Sequence, residues 1–253
     1  MFRARGHVRA QAAGRFDIEW AVTDRLARAS GPDQFFTLGG SDPGHAAVIA
    51  ANRAELTAEL GLLPGSLRFM KQVHGSDVAL VRGSSHAKSV DPTCDAMVTD
   101  DRSIALAVLV ADCTPVLLWD AGVGCVGAVH AGRAGMLSGL VTRCVERMRS
   151  HGASSVHALV GPSICGRCYE VPPQLRDEAA RVQPATVTVS WAGTPAIDIA
   201  AGVVAALSEV DVPVQWLSGC TRESTDLFSH RADPGAGRFA AIVRVHDRAG
   251  TPS

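Results

Sequence analysis

Residues 104–131 read IALAVLVADCTPVLLWDAGVGCVGAVHA, and this stretch decides the fold class. It holds three short apolar runs, at 104–111, 116–119 and 123–129, which are separated by polar residues, a proline and glycines. Short apolar runs broken by turn residues are typical of buried strands. Just beyond them, residues 135–150 place apolar side chains on one helical stripe and end in arginines, which predicts a helix. The stretch therefore predicts an α/β or α+β fold with a largely buried sheet.

The rest of the chain adds helices and strands without a regular βαβ alternation. Alternating or short apolar patterns predict further strands, at 16–22, 67–73, 156–160, 214–217 and 239–245. Two further helices are expected, at 45–60 and 196–209. The Gly/Pro-rich stretches are short enough to be loops, and no linker or repeat divides the sequence. We therefore expect a single α/β domain over residues 1–253.

The composition excludes several classes of protein. Apolar residues make up 47% of the 253 residues, enough to bury a sizeable core, which excludes a disordered chain. The net charge of -1 provides no field to attract nucleic acid. The longest apolar run is about eight residues, against the roughly 18 needed to span a bilayer, and the N-terminus lacks the apolar segment of a signal peptide. We expect a soluble, cytoplasmic protein with reduced cysteines that binds neither nucleic acid nor membrane.

Three expected strand ends carry side chains that bind metals. Cys113 follows the first apolar run, His130 ends the last one, and His74 ends the strand expected at 67–73. If these ends converge, one thiolate and two imidazoles with an open fourth position make the pattern of a catalytic zinc site. The spacing alone equally allows a buried thiol and two hydrogen-bonded histidines in turns.

Further motifs make the chain resemble a known family. They occur in order at 52–53, 72–75, 95–100, 111–115, 130–132, 161–164, 168–171, 220–221, 228–231 and 237–238. With these motifs the sequence resembles the YfiH family, also called the laccase-domain or multicopper polyphenol oxidase family, over roughly residues 16–245.

The resemblance implies both a fold and an activity. It implies a YfiH-type α/β fold with one zinc per chain, held by His74, Cys113 and His130. It also implies a purine nucleoside enzyme, which combines phosphorolysis of adenosine, inosine, guanosine or methylthioadenosine with deamination of adenosine. Copper is not expected, because coupled copper centres use many histidines, often in His-x-His pairs, and none of the nine histidines forms such a pair.

The sequence departs from the family pattern where substrate contacts are expected. Residues 133–135 read Arg-Ala-Gly instead of Trp-Arg-Gly, and 27–30 read Ala-Arg-Ala-Ser instead of Gly-Gly-Val-Ser. Residues 37–39 begin with Thr instead of Asn, and residues 229–231 carry His in place of Tyr. These changes leave the metal ligands intact and point to weaker or altered purine specificity.

Three charged residues are candidates for further roles. Phosphorolysis needs a phosphate pocket, and we expect Arg53 or Arg133 to bind phosphate beside the N-terminus of the helix at 135–150. Asp112 would orient a histidine, carry a proton, or make a structural hydrogen bond.

Two other functions remain open from the sequence. Cys113 as nucleophile with His130 as base would make a cysteine hydrolase or amidase that edits peptidoglycan precursors. A non-enzymatic binding module, such as a cell-division accessory protein, would need neither a metal nor Cys113. The pair Cys165 and Cys168 forms a CxxC motif, but no second CxxC or paired-histidine motif follows it, so the sequence does not predict a metal there.

Overall fold

A computed structural model describes residues 1–9, 16–26, 35–40, 43–83 and 90–247. The described strands, in chain order, are β1 (Phe2–Val8), β2 (Phe16–Thr23), β3 (Leu67–Arg68), β4 (Val78–Leu80), β5 (Ala96–Thr99), β6 (Ala105–Val110), β7 (Thr114–Asp120), β8 (Cys125–Ala131), β9 (His157–Val160), β10 (Val187–Val189), β11 (Pro195–Ile197), β12 (Val214–Trp216) and β13 (Phe239–Asp247). The helices are α1 (Ala46–Glu59), α2 (Arg133–Leu137), α3 (Leu140–Arg149), α4 (Pro173–Val182) and α5 (Ile199–Glu209).

The strands form two large mixed sheets and one small one. The five-stranded sheet has the order β1-β2-β13-β6-β3, and the six-stranded sheet has the order β12-β9-β7-β8-β5-β4. β10 and β11 form a separate antiparallel pair. β6 and β7 are consecutive in sequence but belong to different sheets, so residues 111–113 carry the chain from one sheet to the other.

The apolar residues of the central strands fill three cores. One core lies between the two sheets and includes Leu106, Leu117 and Val243. A second packs α3 and α5 on the six-stranded sheet, and a third packs α1 on the five-stranded sheet. Because β6, β7 and β8 are buried by neighbours on both faces, their sequences are continuously apolar. The fold is a mixed α/β fold in one domain, as the sequence predicts.

Most predicted elements are confirmed, and three need correction. The helix expected at 196–209 begins at Ile199, because Pro195–Ile197 forms β11. The helix expected at 135–150 is split into α2 and α3, because Gly139 adopts a left-handed φ of 74° that interrupts the helix. The strand expected at 67–73 covers only Leu67–Arg68. Beyond it, the side-chain amide of Gln72 accepts from the Leu109 N–H (2.9 Å) and donates to the Leu109 carbonyl (2.7 Å), so a side chain takes the place of a strand neighbour.

The sequence analysis did not identify several elements, among them β1, β4, β5 and α4. Of these, β5 matters most for the site, because it pairs with β8 and directly follows Asp95. Among the residues that the structure describes, no helix has the length and apolar character needed to cross a bilayer.

Candidate metal site and cavity

Two connections and the end of strand β8 bring His74, Cys113 and His130 together. Cys113 lies in the 111–113 crossing between the sheets, where Asp112 has a φ of 89° and turns the chain sharply. His130 is the last residue but one of β8 and is buried. The ligand atoms of the three side chains all lie within 4.8 Å of one another. We call this group the histidine site.

The carboxylate of Asp95 organises two of these side chains. It is fully buried and accepts a hydrogen bond from His130 Nδ1 at 2.8 Å. It also accepts from the backbone N–H groups of Val73 (3.2 Å), His74 (3.0 Å) and Gly75 (2.7 Å). These bonds hold His74 in a left-handed turn with a φ of 58°. Because Nδ1 of His130 is bonded to Asp95, Nε2 is left free to bind a metal.

The residues present fit a zinc ion. Sγ of Cys113 lies 3.8 Å from Nε2 of His74, and the two imidazole rings meet edge to face with centroids 4.8 Å apart. A Cβ on Gly132 would lie only 3.0 Å from His74 Cδ2 and 3.2 Å from Cys113 Sγ, so the glycine keeps space for the ligands to converge. A thiolate and two imidazoles are donors that suit zinc, and an outer carboxylate behind one histidine is usual for such sites.

The charged groups of the histidine site and Asp95 stabilise one another. Burial raises the pKa of the Cys113 thiol, but hydrogen bonds with His130 and His74 outweigh burial and lower the pKa to about 6. Burial also raises the pKa of Asp95, but the hydrogen bonds from His130 and from the backbone lower it to about 2. Burial lowers the pKa of His130, while Asp95 and Cys113 raise it to about 9. A thiolate and a carboxylate therefore face the imidazoles at neutral pH.

A cavity of about 800 Å³ opens beside the histidine site. Apolar side chains form part of its wall, namely Met70, Leu109, Ile164 and Ile199, together with the ring of Tyr169. Three arginines, Arg133, Arg231 and Arg238, line it as well. A cavity with apolar walls and a few converging polar groups is typical of small-molecule sites.

The structure places Asp112 on the cavity wall but does not bring it to a histidine. Its carboxylate accepts from Thr221 Oγ1 (2.6 Å) and from the backbone N–H of Arg231 (2.6 Å). The carboxylate that bonds a histidine is Asp95, and the role of Asp112 as a proton carrier stays a prediction. In the sequence, Asp95 is marked only as the first residue of the 95–100 motif.

The two arginines proposed for phosphate binding have different surroundings. Arg133 lines the cavity, although it also pairs with Glu178 at 3.2 Å. Arg53 is not among the described residues that line it. Its Nε donates to the Leu38 carbonyl (2.9 Å), and its guanidinium lies 3.9 Å from the centroid of the Phe69 ring. Phosphate binding by Arg53 or Arg133 stays a prediction. Arg231 and Arg238 also line the cavity, and the sequence analysis did not single them out for phosphate.

One further expectation about the site changes. The helix that follows His130 is α2, which has only five residues, so the long helix that was expected to offer its N-terminus to phosphate is absent there. The departure from the family pattern at 27–30 lies outside the described residues. The departure at 133–135 lies at the start of α2, where Arg133 and Ala134 contribute to the cavity wall.

The fold and site define an α/β protein of two sheets with a His-Cys-His group at the mouth of a cavity. A family profile described as "Multi-copper polyphenol oxidoreductase laccase" matches residues 19–246, and the chain belongs to this family. The chain is 46% identical to "Purine nucleoside phosphorylase ORF3" of Streptomyces griseus, over 88% of this chain and 93% of that protein. It is 42% identical to "Purine nucleoside phosphorylase Rv2149c" of Mycobacterium tuberculosis, over 89% of this chain and 91% of that protein.

Solved structures share the fold. YlmD from Geobacillus stearothermophilus matches with a TM-score of 0.79 and 26% identity, over 93% of this chain and 97% of that one. YfiH from Bacillus licheniformis matches with a TM-score of 0.81 and 22% identity, over 92% of this chain and 97% of that one. The expected family and its YfiH-type fold are thereby confirmed.

Proposed function

We propose that this protein is a zinc-dependent purine nucleoside phosphorylase. Its substrates would be adenosine, inosine, guanosine or methylthioadenosine, and it would also deaminate adenosine. The observation that carries the proposal is the 46% identity, over nearly the whole chain, to a protein named purine nucleoside phosphorylase. The cavity beside the histidine site supports it, because it offers apolar and cationic walls in one place.

The cavity suits a nucleoside and a phosphate together. Its volume of about 800 Å³ falls in the range of small-molecule sites. The ring of Tyr169 and the neighbouring apolar side chains provide a surface on which a flat purine packs. Arg231 lies over Tyr169, with its guanidinium carbon 5.2 Å from the ring centroid, and so places a positive charge beside this apolar surface.

The arginines have a direct role in phosphorolysis. A phosphate oxygen attacks C1′ of the ribose, the bond from C1′ to N9 breaks, and its electron pair leaves with the purine. The purine takes up a proton, and the products are the free base and ribose 1-phosphate. Arg231 and Arg133 would hold the phosphate anion through charge-assisted hydrogen bonds and orient it toward C1′.

His74, Cys113 and His130 would hold the zinc. When bound, Zn²⁺ supplies a Lewis acid that lowers the pKa of water and stabilises developing negative charge. Asp95 keeps His130 in the tautomer whose Nε2 faces the metal, and it also fixes the turn that carries His74. Deamination replaces the exocyclic amine of adenosine by the oxygen of a water and releases ammonia. Asp112, on the cavity wall, would carry the proton for that exchange.

Omission of phosphate tests the proposed reactions. We expect inosine to yield hypoxanthine and ribose 1-phosphate only when phosphate is present, whereas conversion of adenosine to inosine continues without it. Product analysis by chromatography with a panel of nucleosides measures both. Cys113→Ala should abolish both reactions. Cys125→Ala, which removes a buried thiol at the far end of β8, is the matched control. Equal release of base without phosphate would make the protein a hydrolase, and no reaction with any nucleoside would refute the proposal.

The alternative of a cysteine amidase acting on peptidoglycan precursors is not favoured. The relatives named above are purine nucleoside phosphorylases, and a thiolate held by a metal is a poor free nucleophile. We accordingly propose small-molecule partners, a purine nucleoside and phosphate, in a cytoplasmic protein.

A further inference from the structure

A second group of metal-binding side chains lies in two loops away from the histidine site. Cys165 and Cys168 follow β9, and Cys220 and Glu223 follow β12. Each loop contributes two side chains three residues apart, as Cys-Gly-Arg-Cys and Cys-Thr-Arg-Glu. The ligand atoms of all four lie within 4.8 Å of one another. We call this group the thiol cluster. In the sequence the CxxC motif has no second pair of ligands. The fold supplies that pair as a C-x-x-E motif, Cys220 and Glu223, from a distant part of the chain.

The four side chains of the thiol cluster lie close enough to enclose a metal ion after small movements. Sγ of Cys168 lies 3.2 Å from Oε1 of Glu223, and the backbone N–H of Cys165 donates to Sγ of Cys220 at 3.4 Å. The N–H of Cys168 donates to the carbonyl of Cys165 at 2.9 Å, which makes the tight turn that points both thiols the same way. Tetrahedral zinc with Zn–S bonds of about 2.3 Å places sulfurs roughly 3.8 Å apart. The side chains therefore need to close by no more than about 1 Å around an ion of that size.

A second layer of contacts positions the carboxylate. The indole N–H of Trp191 donates to Oε1 of Glu223 at 2.9 Å. The Arg167 guanidinium lies 4.6 Å from the Trp191 ring centroid, and the Arg167 carbonyl accepts from the backbone N–H of Trp191 at 3.1 Å. Because Arg167 lies between the two cysteines of the CxxC motif, this exposed tryptophan connects one loop to the carboxylate of the other. Hydrogen bonds of this kind are what orient the ligands of metal sites.

We propose that Cys165, Cys168, Cys220 and Glu223 bind one Zn²⁺ as a closed, four-ligand structural site. Three thiols and one carboxylate are a donor set that favours zinc over hard cations such as magnesium or calcium. Binding deprotonates the three thiols, so that one Zn²⁺ enters and three protons leave. With four protein ligands no position remains open, which is the usual difference between a structural and a catalytic zinc. The expected zinc content of the protein accordingly rises from one to two per chain.

The position of the thiol cluster indicates what the ion would stabilise. The two loops are already joined by a bridge between Ser163 and Cys220. Next to the cluster, Thr221 bonds to Asp112, and the N–H of Ile164 donates to the Asp112 carbonyl at 2.9 Å. Asp112 immediately precedes Cys113. A zinc in the thiol cluster would therefore fix the loop that contributes Ile164 and Tyr169 to the cavity wall, without touching the substrate.

Metal content tests this proposal in the intact protein. After purification without chelator, the wild type should contain about two zinc ions per chain, measured by mass spectrometry of the metal. Cys220→Ser and Glu223→Gln should each lose one ion and keep the one that Cys113→Ala removes. Cys125→Ala should keep both. If Cys220→Ser retains all the zinc of the wild type, the site is refuted.

Two measurements on the unchanged protein keep the proposal testable even if the cysteine variants fail to fold. Replacement of zinc by cobalt should give the strong near-ultraviolet charge-transfer absorption of a site with three thiolates. A site with one thiolate would give a weaker band. After denaturation with chelator and without reductant, all seven cysteines should react as free thiols. Two fewer reactive thiols would indicate a disulfide within the cluster and contradict the zinc site.

The outcome is independent of the proposed function, since a protein with zinc only in the thiol cluster would retain it in Cys113→Ala.

Discussion

The histidine site and the thiol cluster both contain metal-binding side chains, but they differ in the number of these side chains and in their surroundings. The histidine site takes its ligands from turns and a strand end next to the sheets, has three of them, and opens onto a cavity of about 800 Å³. The thiol cluster takes four ligands from two surface loops. In the histidine site a buried carboxylate, Asp95, bonds to His130 and His74. In the thiol cluster an exposed indole, Trp191, bonds to Glu223. The number of ligands and their surroundings, more than the residue types, separate a site for chemistry from a site for stability.

The largest effect should come from removing a ligand of the histidine site. Cys113→Ala should lower the rate of phosphorolysis by at least about 1,000-fold, because the chemistry of a metal ion contributes several kcal/mol to transition-state stabilisation. Cys220→Ser should keep most of the activity. Initial rates with inosine and saturating phosphate measure both variants. If the two variants lose activity equally, the division between a catalytic and a structural site is wrong.

A smaller effect should follow from removing the charge behind the histidine site. In Asp95→Asn the amide no longer favours the tautomer of His130 that binds metal, so we expect zinc affinity at this site to fall by about 10–100-fold. Competition with a chromophoric chelator measures the affinity. Zinc in the thiol cluster should be unaffected. Unchanged affinity at both sites would show that Asp95 does not organise the ligands.

The arginines of the cavity should affect phosphate more than nucleoside. Arg231→Ala should raise the KM for phosphate by about tenfold, as expected for the loss of one partly exposed charge-assisted contact. Arg53→Ala is the matched control, because Arg53 packs on Phe69 outside the cavity. It should lower stability by about 1 kcal/mol and leave the KM for phosphate unchanged. A raised KM in Arg53→Ala alone would restore the assignment made from the sequence.

The smallest effect on catalysis, and a clear effect on stability, should come from the thiol cluster. Loss of its zinc in Cys220→Ser should lower the free energy of unfolding by about 1–2 kcal/mol, or the Tm by roughly 2–8 °C. Thermal unfolding with and without chelator measures this. The chelator should lower the Tm of the wild type and have a smaller effect on the variant. An equal response of both proteins would contradict a structural role.

The sequence predicts the histidine site better than the thiol cluster for a physical reason. Cys113 and His130 each follow an apolar run, and such runs predict buried strands. The sequence does not identify Asp95 as the partner of His130, because the pairing between β5 and β8 is a tertiary contact that no local pattern predicts. Cys220 lies 55 residues from Cys165, and only the parallel pairing of β9 with β12 brings their loops together.

The same distinction applies to the fold. The central strands were predictable from their apolar character, whereas the helix at 135–150 was interrupted at Gly139, whose conformation depends on its surroundings. The strand at 67–73 was shortened by the side chain of Gln72, which no periodicity indicates. Arg53 shows the same limit for the site. An arginine side chain can bind phosphate, but Arg53 lies on the Phe69 ring and is not among the described residues that line the cavity.

Anomalous diffraction at the zinc edge, on crystals grown with phosphate and an unreactive purine nucleoside analogue, tests the central claim most directly. We expect a zinc peak between His74, Cys113 and His130, with the analogue packed against Tyr169 in the adjacent cavity and phosphate beside Arg231. A second zinc peak should lie in the thiol cluster. An analogue bound elsewhere, or a histidine site without a peak in crystals that contain zinc, would contradict the assignment of nucleoside chemistry to the histidine site.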